Sequence, residues 1–182
     1  MAEETKRGGA PQEALLELRH IRKVFNAGTV SEMEVFHDFS LTIHKGEFIS
    51  VVGSNGSGKT TTLNLLCGSL MPDAGQILLH GTDITKMPEY KRAAFFGRVF
   101  QDPAKGTCPT MTILENMSLA DNKGRPFGLG RGVNRKKLDE YKQQLELLHL
   151  GLEDKIDLPV GVLSGGQRQA LTLLMASLKQ PK

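Results

Sequence analysis

The run Phe48-Ile49-Ser50-Val51-Val52 feeds straight into Gly53-Ser54-Asn55-Gly56-Ser57-Gly58-Lys59-Thr60, and this junction constrains the fold more than any other stretch. Glu47 to Val52 reads as a short, mostly apolar strand, and a strand buried on both faces is what a parallel sheet requires. Thr60 to Leu70 then shows helical spacing, with Leu63, Leu66 and Leu70 on one side, before Pro72-Asp73-Ala74-Gly75 ends the helix. Strand, glycine loop and helix in that order predict an α/β protein.

The loop between them has the chemistry of a phosphate cradle. Gly53, Gly56 and Gly58 let the backbone wrap so that successive amides point inward with no Cβ in the way. The helix aims the positive end of its dipole at the same spot. Lys59 is predicted to reach the β- and γ-phosphates, and the Thr60 hydroxyl to ligate Mg²⁺. A lysine in the first helical turn opposes the helix dipole unless an anion lies beside it, which favours phosphate binding over a chance glycine turn. Ser54, Asn55, Ser57 and Thr61 complete the nucleotide-binding stretch. A guanine-reading protein would want Asn-Lys-x-Asp, whereas Asn122-Lys123-Gly124-Arg125 lacks the acid, so guanine is disfavoured.

Elsewhere the chain alternates short strands with helices. Glu13 to Phe25 reads as a strand, and Phe39, Leu41 and Ile43 alternate with Ser40, Thr42 and His44 at period two. Ile77-Leu78-Leu79 before His80-Gly81 predicts a strand and turn, and Gly97 to Gln101 another strand ending in a polar residue. From Thr110 to about Pro159 the pattern turns helical. Thr112-Ile113-Leu114-Glu115 has the form of a capping box, and Leu138, Tyr141, Leu145 and Leu148 recur at helical spacing after Asn134. Lys123 to Arg131, basic and glycine-rich, is the best linker or exposed-loop candidate.

Composition limits what such a protein can be. A length of 182 residues suits one domain with a sizeable core, and a net charge of +3 with mixed signs is too mild to argue for a nucleic-acid surface. Cys67 and Cys108 have neither CxxC spacing nor a histidine cluster, so neither a zinc site nor a disulfide framework is expected. Met1 to Gln12 is a polar tail without an apolar signal core, and no later run reaches the ~18 apolar residues of a spanning helix. A membrane, if involved, belongs to a partner.

A second motif narrows the reading. Leu163-Ser164-Gly165-Gly166-Gln167-Arg168-Gln169 opens an apolar helical stretch from Arg168 to Leu178, with Ser164 as the natural N-cap and the glycines exposing amides at a helix start. One loop rarely needs two phosphate cradles. Taken singly, Phe25 reads as a core residue and Gln101 as a strand-end polar residue, but both fall in register with the two motifs. Together these residues resemble the nucleotide-binding subunit of an ATP-binding-cassette (ABC) transporter, over nearly the whole chain from about Glu13.

That resemblance implies a P-loop nucleotide-hydrolase core of the ABC-ATPase type, with an N-terminal antiparallel β region and a helical subdomain at about 102–165 that carries the signature motif. Residues 13–182 then make an incomplete nucleotide-binding domain, its C-terminal part missing. It implies that Phe25 stacks on adenine and that Gln101 senses Mg²⁺ and the attacking water. Ser164, Gly165, Gly166 and Gln167 would close over a nucleotide held by another subunit. The cofactors implied are ATP and Mg²⁺; the partners are a second nucleotide-binding subunit, alike or different, a transmembrane permease subunit and a solute-binding protein. No nucleic acid is expected. The location implied is cytoplasmic, peripheral on the inner face of the cell membrane.

In the family a strand with the Mg²⁺ aspartate, a water-polarising glutamate and a histidine follow the signature helix, beyond Lys182 here. Binding of ATP without appreciable turnover is the expectation for residues 1–182, although the family is one of ATPases. Import fits a chain without a fused membrane segment, with small organic solutes such as amino acids favoured. The alternatives are a soluble ABC-type ATPase acting on ribosomes or DNA, and a non-catalytic nucleotide-binding module. Arg168-Gln169-Ala170-Leu171 departs from the run many importers show and leaves the subfamily open.

Overall fold

β1 (Ala14–Phe25) is an interior strand of a four-stranded antiparallel sheet, flanked by β2 (Met33–His44) on one side and β3 (Ala74–Leu79) on the other, with β4 (Thr82–Asp83) beyond β3. The computed structural model describes residues 13–124 and 132–178, so the tail before Glu13 and residues 125–131 of the basic stretch lie outside the described residues. The chain divides into two units, Met1–Arg92 and Ala93–Lys182.

In the first unit, the core follows from a change of phase within β1. Leu16 and Leu18 are buried at period two, as is Ile21 after a skip of one residue. The skip is a bulge: register shifts between Leu18 and Ile21 against β2, and His20 has φ of 52°. Such an insertion turns the strand so that residues of the opposite parity face the same core. Leu18 pairs with Leu41 on one side and Ile77 on the other, joining the three apolar strands. Gly75 has φ of +94°, and a Cβ there would stand 2.4 Å from the His20 carbonyl oxygen, so the bulge requires glycine opposite it.

α1 (Lys59–Cys67) ends at Gly68, whose left-handed backbone turns its amide onto the Asn64 and Leu65 carbonyls. The helix is shorter than the predicted Thr60 to Leu70, and its buried face is Thr62, Leu65 and Leu66; Leu63 is 54% exposed. Leucines on several sides of so short a helix leave periodicity ambiguous: Leu66 of the predicted stripe is buried, but beside Leu65 rather than Leu63. A four-residue helix, α2 (Glu89–Arg92), closes the unit.

Two predicted strands are absent. Glu47 to Val52 takes no strand conformation, with Phe48 96% and Val52 86% exposed, and Gly97 to Gln101 is likewise irregular. A strand exists only through hydrogen bonds to a neighbour. Among the described residues neither segment has one, and the sheet that forms is antiparallel throughout.

The second unit packs α3 (Ile113–Asp121), α4 (Leu138–Glu146) and α5 (Gly165–Ser177) around Ile113, Leu114, Met117, Tyr141, Leu145, Leu152, Ile156, Val160, Leu163 and Leu171. α3 begins as the sequence predicts: the Thr112 hydroxyl accepts from the Glu115 amide, and the Glu115 carboxylate accepts from the Thr112 amide at 2.7 Å. The next two amides are also satisfied, Ile113 donating to Leu158 O and Leu114 to Ile156 O. Buried Asn116 ties the preceding loop to the helix, its Nδ2 donating to the carbonyls of Cys108, Met111 and Thr112 while its Oδ1 accepts from the Cys108 amide.

Tyr141 carries the pH dependence of this core. Its hydroxyl donates to Asp121 Oδ2 at 3.2 Å, and Lys137 pairs with the same carboxylate at 3.1 Å. Burial first, and the Asp121 charge second, push the phenol up to about 12. The unfolded phenol ionises near pH 10. A raised folded pKa means that this stabilisation is intact below about pH 10 and lost as pH rises toward 12. Denaturant midpoints of the native protein should therefore fall across that window more than those of Tyr141→Phe. Parallel declines would refute the assignment.

Candidate functional site

The glycine loop sits where β2 meets the start of α1. Gly58 is buried, has φ of +88°, and a Cβ there would stand 2.6 Å from Phe36 Cζ and 3.0 Å from Val35 Cγ1. Only glycine fits both the conformation and the space. No side chain caps α1, in contrast to α3 and α5. A helix start without a side-chain cap, reached through a glycine turn, presents its amides to an anion.

Lys59 folds back over the loop. Its Nζ donates to Gly53 O at 2.8 Å and Ser54 O at 2.6 Å and lies 3.5 Å from Ser57 Oγ. The ammonium is thus held at the concave side of the wrap, bonded to exposed carbonyls that phosphate oxygens can replace as acceptors. Gly53, Ser54, Asn55, Gly56 and Ser57 are all exposed, and the loop closes on itself through Ser57 N to Ser54 O. Thr60 is exposed on the first turn and Thr61 half-buried, while the Thr62 hydroxyl is used internally on Gly58 O. The loop residues therefore fit a nucleotide's phosphates: a lysine ammonium lies on an exposed loop at a helix start, and glycine stands at both positions, 53 and 58, where a Cβ would intrude.

For Mg²⁺, no group of three or more His, Cys, Asp or Glu gathers among the described residues. An exposed threonine hydroxyl beside a phosphate site nevertheless suits a metal that takes few protein ligands and completes its shell with phosphate and water.

Phe25 ends β1, half-buried. Lys23 Nζ lies over its ring, 5.6 Å from the centroid. Gln101 is exposed in the second unit, just before a 3-10 turn, Pro103–Gly106, that Asp102 caps through Ala104 N. Phe25 and the glycine loop belong to the first unit; Gln101 and the signature residues belong to the second.

Ser164 caps α5 with a full capping box, its Oγ accepting from Gln167 N at 3.3 Å and Gln167 Oε1 accepting from Ser164 N at 3.2 Å. Gln167 also donates to Leu150 O, and Arg168 reaches back to Gly161 O at 3.0 Å. Gly165 and Gly166 are exposed with open space around them, so the first turn offers bare backbone to whatever approaches.

Sequence reasoning passed over Lys23, Asp73 and Arg92. The signal for Lys23 was present, since residues two apart in a strand share a face. Asp73 and Arg92 carried none, because their partners lie far away along the chain.

Comparison with known proteins identifies the family and the fold. The family described as ABC transporter matches residues 36–182. The chain is 44% identical over 168 residues to a tyrosine transport ATP-binding protein of Clostridioides difficile, covering 92% of this chain and 66% of the relative. It is 38% identical over 170 residues to the spermidine/putrescine import ATP-binding protein PotA of Haemophilus influenzae, covering 92% of this chain but 41% of that one. It thus spans less than two thirds of the length of both relatives. A nucleotide-free ATP-binding cassette from an ABC transporter superposes with a TM-score of 0.70 at 26% identity, covering 92% of this chain and 66% of that one. An ATP-binding cassette solved as a dimer with ADP and Pi shares the fold, with a TM-score of 0.75 at 24% identity over 91% of this chain and 70% of that one. With its glycine loop and its serine-capped second motif in family order, the chain belongs to the ABC transporter family, as an ATP-binding cassette of the α/β P-loop type.

Proposed function

We propose that this chain is the ATP-binding subunit of a solute importer, coupling ATP binding and hydrolysis to transport through a separate transmembrane permease. The observation that carries the proposal is the Lys59 ammonium poised over a glycine wrap at the uncapped start of α1. In this reading the amides of residues 53–61 donate to phosphate oxygens, and Lys59 exchanges its two carbonyl partners for the β- and γ-phosphates. Thr60 and Gln101 attend the metal, and Phe25 stacks on adenine. Bound Mg²⁺ supplies charge neutralisation across the phosphate oxygens. Ser164, Gly165, Gly166 and Gln167 act in trans on a nucleotide held by a second copy or a related subunit.

None of the residues named here brings a carboxylate to ligate the metal or orient water. For residues 1–182 taken alone the proposal is therefore binding with little turnover. The relatives named for tyrosine and for spermidine and putrescine favour a nitrogen-bearing organic solute, an amino acid or amine, delivered by a solute-binding protein. Among the described residues no helix is long and apolar enough to cross a membrane. The proposed location, peripheral on the cytoplasmic face, rests on the family resemblance.

The test is the intact complex. Co-purification with a membrane subunit is expected, with crosslinks from residues 101–159 to its cytoplasmic loops. Crosslinks that never involve those residues would overturn the docking, and co-purification with ribosomes or DNA instead would overturn the transport reading.

A further inference from the structure

Lys23 is only 9% exposed, an unusual position for a lysine in a strand, and its head group has two partners. The Nζ donates to Asp73 Oδ1 at 2.8 Å and stands over the Phe25 ring, 5.6 Å from the centroid. Asp73 does more than neutralise it. Its second oxygen accepts from the Val24 amide at 2.7 Å, and its own amide donates to Arg22 O at 2.9 Å. Three bonds from one residue between α1 and β3 thus clamp residues 22–24 at the end of β1. Hydrogen bonds from the Lys23 ammonium and then from the Val24 amide hold the Asp73 carboxyl below its ordinary range, as a persistent anion.

We infer that Lys23, gripped by Asp73, is a positioning residue of the nucleotide site: it occupies one face of Phe25 and leaves the other for the base of ATP. The inference rests on the reading of Phe25 as the adenine platform. The cation interacts with the ring's π face and restricts its tilt, so the ring meets a base already oriented. It also draws π density toward itself, which lessens repulsion between the opposite face and the π cloud of a stacked purine. An ion pair serving only the fold would hold β1 in place without distinguishing ligands with a base from those without.

That distinction supplies the test: calorimetric titration with ATP and, separately, with inorganic tripolyphosphate, which keeps the phosphates and lacks the base. Phe25→Ala is expected to lower the ratio of ATP to tripolyphosphate affinity about tenfold. Lys23→Met, which keeps the stem and removes the charge, should lower that ratio about two- to fivefold, and Asp73→Asn should act in the same direction. Lys23→Arg should preserve it. Tripolyphosphate binding within about twofold of the native value, below the factor expected for one weak contact, shows that each variant is folded. If Asp73→Asn fails to fold, the Met and Arg variants of Lys23 decide. A ratio unchanged in Lys23→Met but lowered in Phe25→Ala would overturn the positioning role while leaving the Phe25 platform standing. A ratio unchanged in Phe25→Ala would overturn both.

Discussion

Replacing Arg92 by leucine is expected to destabilise the first unit by about 3 to 5 kcal/mol, because buried carbonyl acceptors lose their donors at about 1 to 3 kcal/mol each. Arg92 is completely buried. Its Nη1 donates to Leu65 O at 2.6 Å and Leu66 O at 3.1 Å, its Nη2 to Thr85 O at 2.7 Å, and its Nε to Met87 O at 2.8 Å. Two of those acceptors are carbonyls at the end of α1, where a helix leaves its last oxygens without internal partners and where the dipole is negative. One guanidinium therefore joins the helix that carries the phosphate loop to the segments before and after Met87. Burial lowers its pKa without removing its charge, and the carbonyl dipoles around it replace the lost water.

Leucine fills part of the volume but takes a donor away from four carbonyls, of which Leu65 O keeps the Gly68 amide. Thermal unfolding followed by far-ultraviolet circular dichroism should show Tm lower by about 10 °C. Arg92→Lys should recover little, because a single ammonium cannot present the planar fork that reaches all four oxygens. An Arg92→Leu protein melting within about 2 °C of the native one, less than about 1 kcal/mol, would refute this account.

Lys59→Ala is expected to weaken ATP binding about 10- to 100-fold, since charge-assisted hydrogen bonds to phosphate contribute about 1.5 to 3 kcal/mol. The effect on the fold should be small. Lys59 bonds only to the exposed carbonyls of Gly53 and Ser54 and lies near Ser57, all within its own loop, and the buried face of α1 is Thr62, Leu65 and Leu66. Calorimetry in the presence of Mg²⁺ measures the affinity, and circular dichroism checks that the helical content is unchanged. Equal ATP affinity for the two proteins would sink the phosphate-loop assignment. Lys59→Arg offers a sharper control: its larger planar head group keeps the charge but not the fit under the wrap, so it should restore only part of the loss.

What could be read along the chain was local. The Thr112–Glu115 capping box and the Ser164 N-cap depend on residues within three positions, and both form, Ser164 with a full box through Gln167. The α4 stripe of Tyr141 and Leu145 is buried as its spacing predicts, because that helix is polar on its remaining faces. In α1 local spacing leaves the buried face open. With leucines at 63, 65 and 66, several faces qualify, and the choice of Leu65 and Leu66 over Leu63 belongs to the elements that pack on it.

The amino-acid sequence by itself determined where the glycines of the phosphate loop lie, where α3 and α5 start and which family the chain resembles, since each depends on neighbours within a few residues. Only the tertiary structure decided which apolar runs became strands, because a strand is defined by the backbone that pairs with it: β1 found two partners, while Glu47 to Val52 and Gly97 to Gln101 found none among the described residues. It alone also decided that Asp73 clamps Lys23 across fifty positions and that Arg92 closes the end of α1 across twenty-seven. Hydrogen-bond donors and acceptors so far apart in sequence leave no periodic trace, and they meet only once the sheet and helix have brought them together.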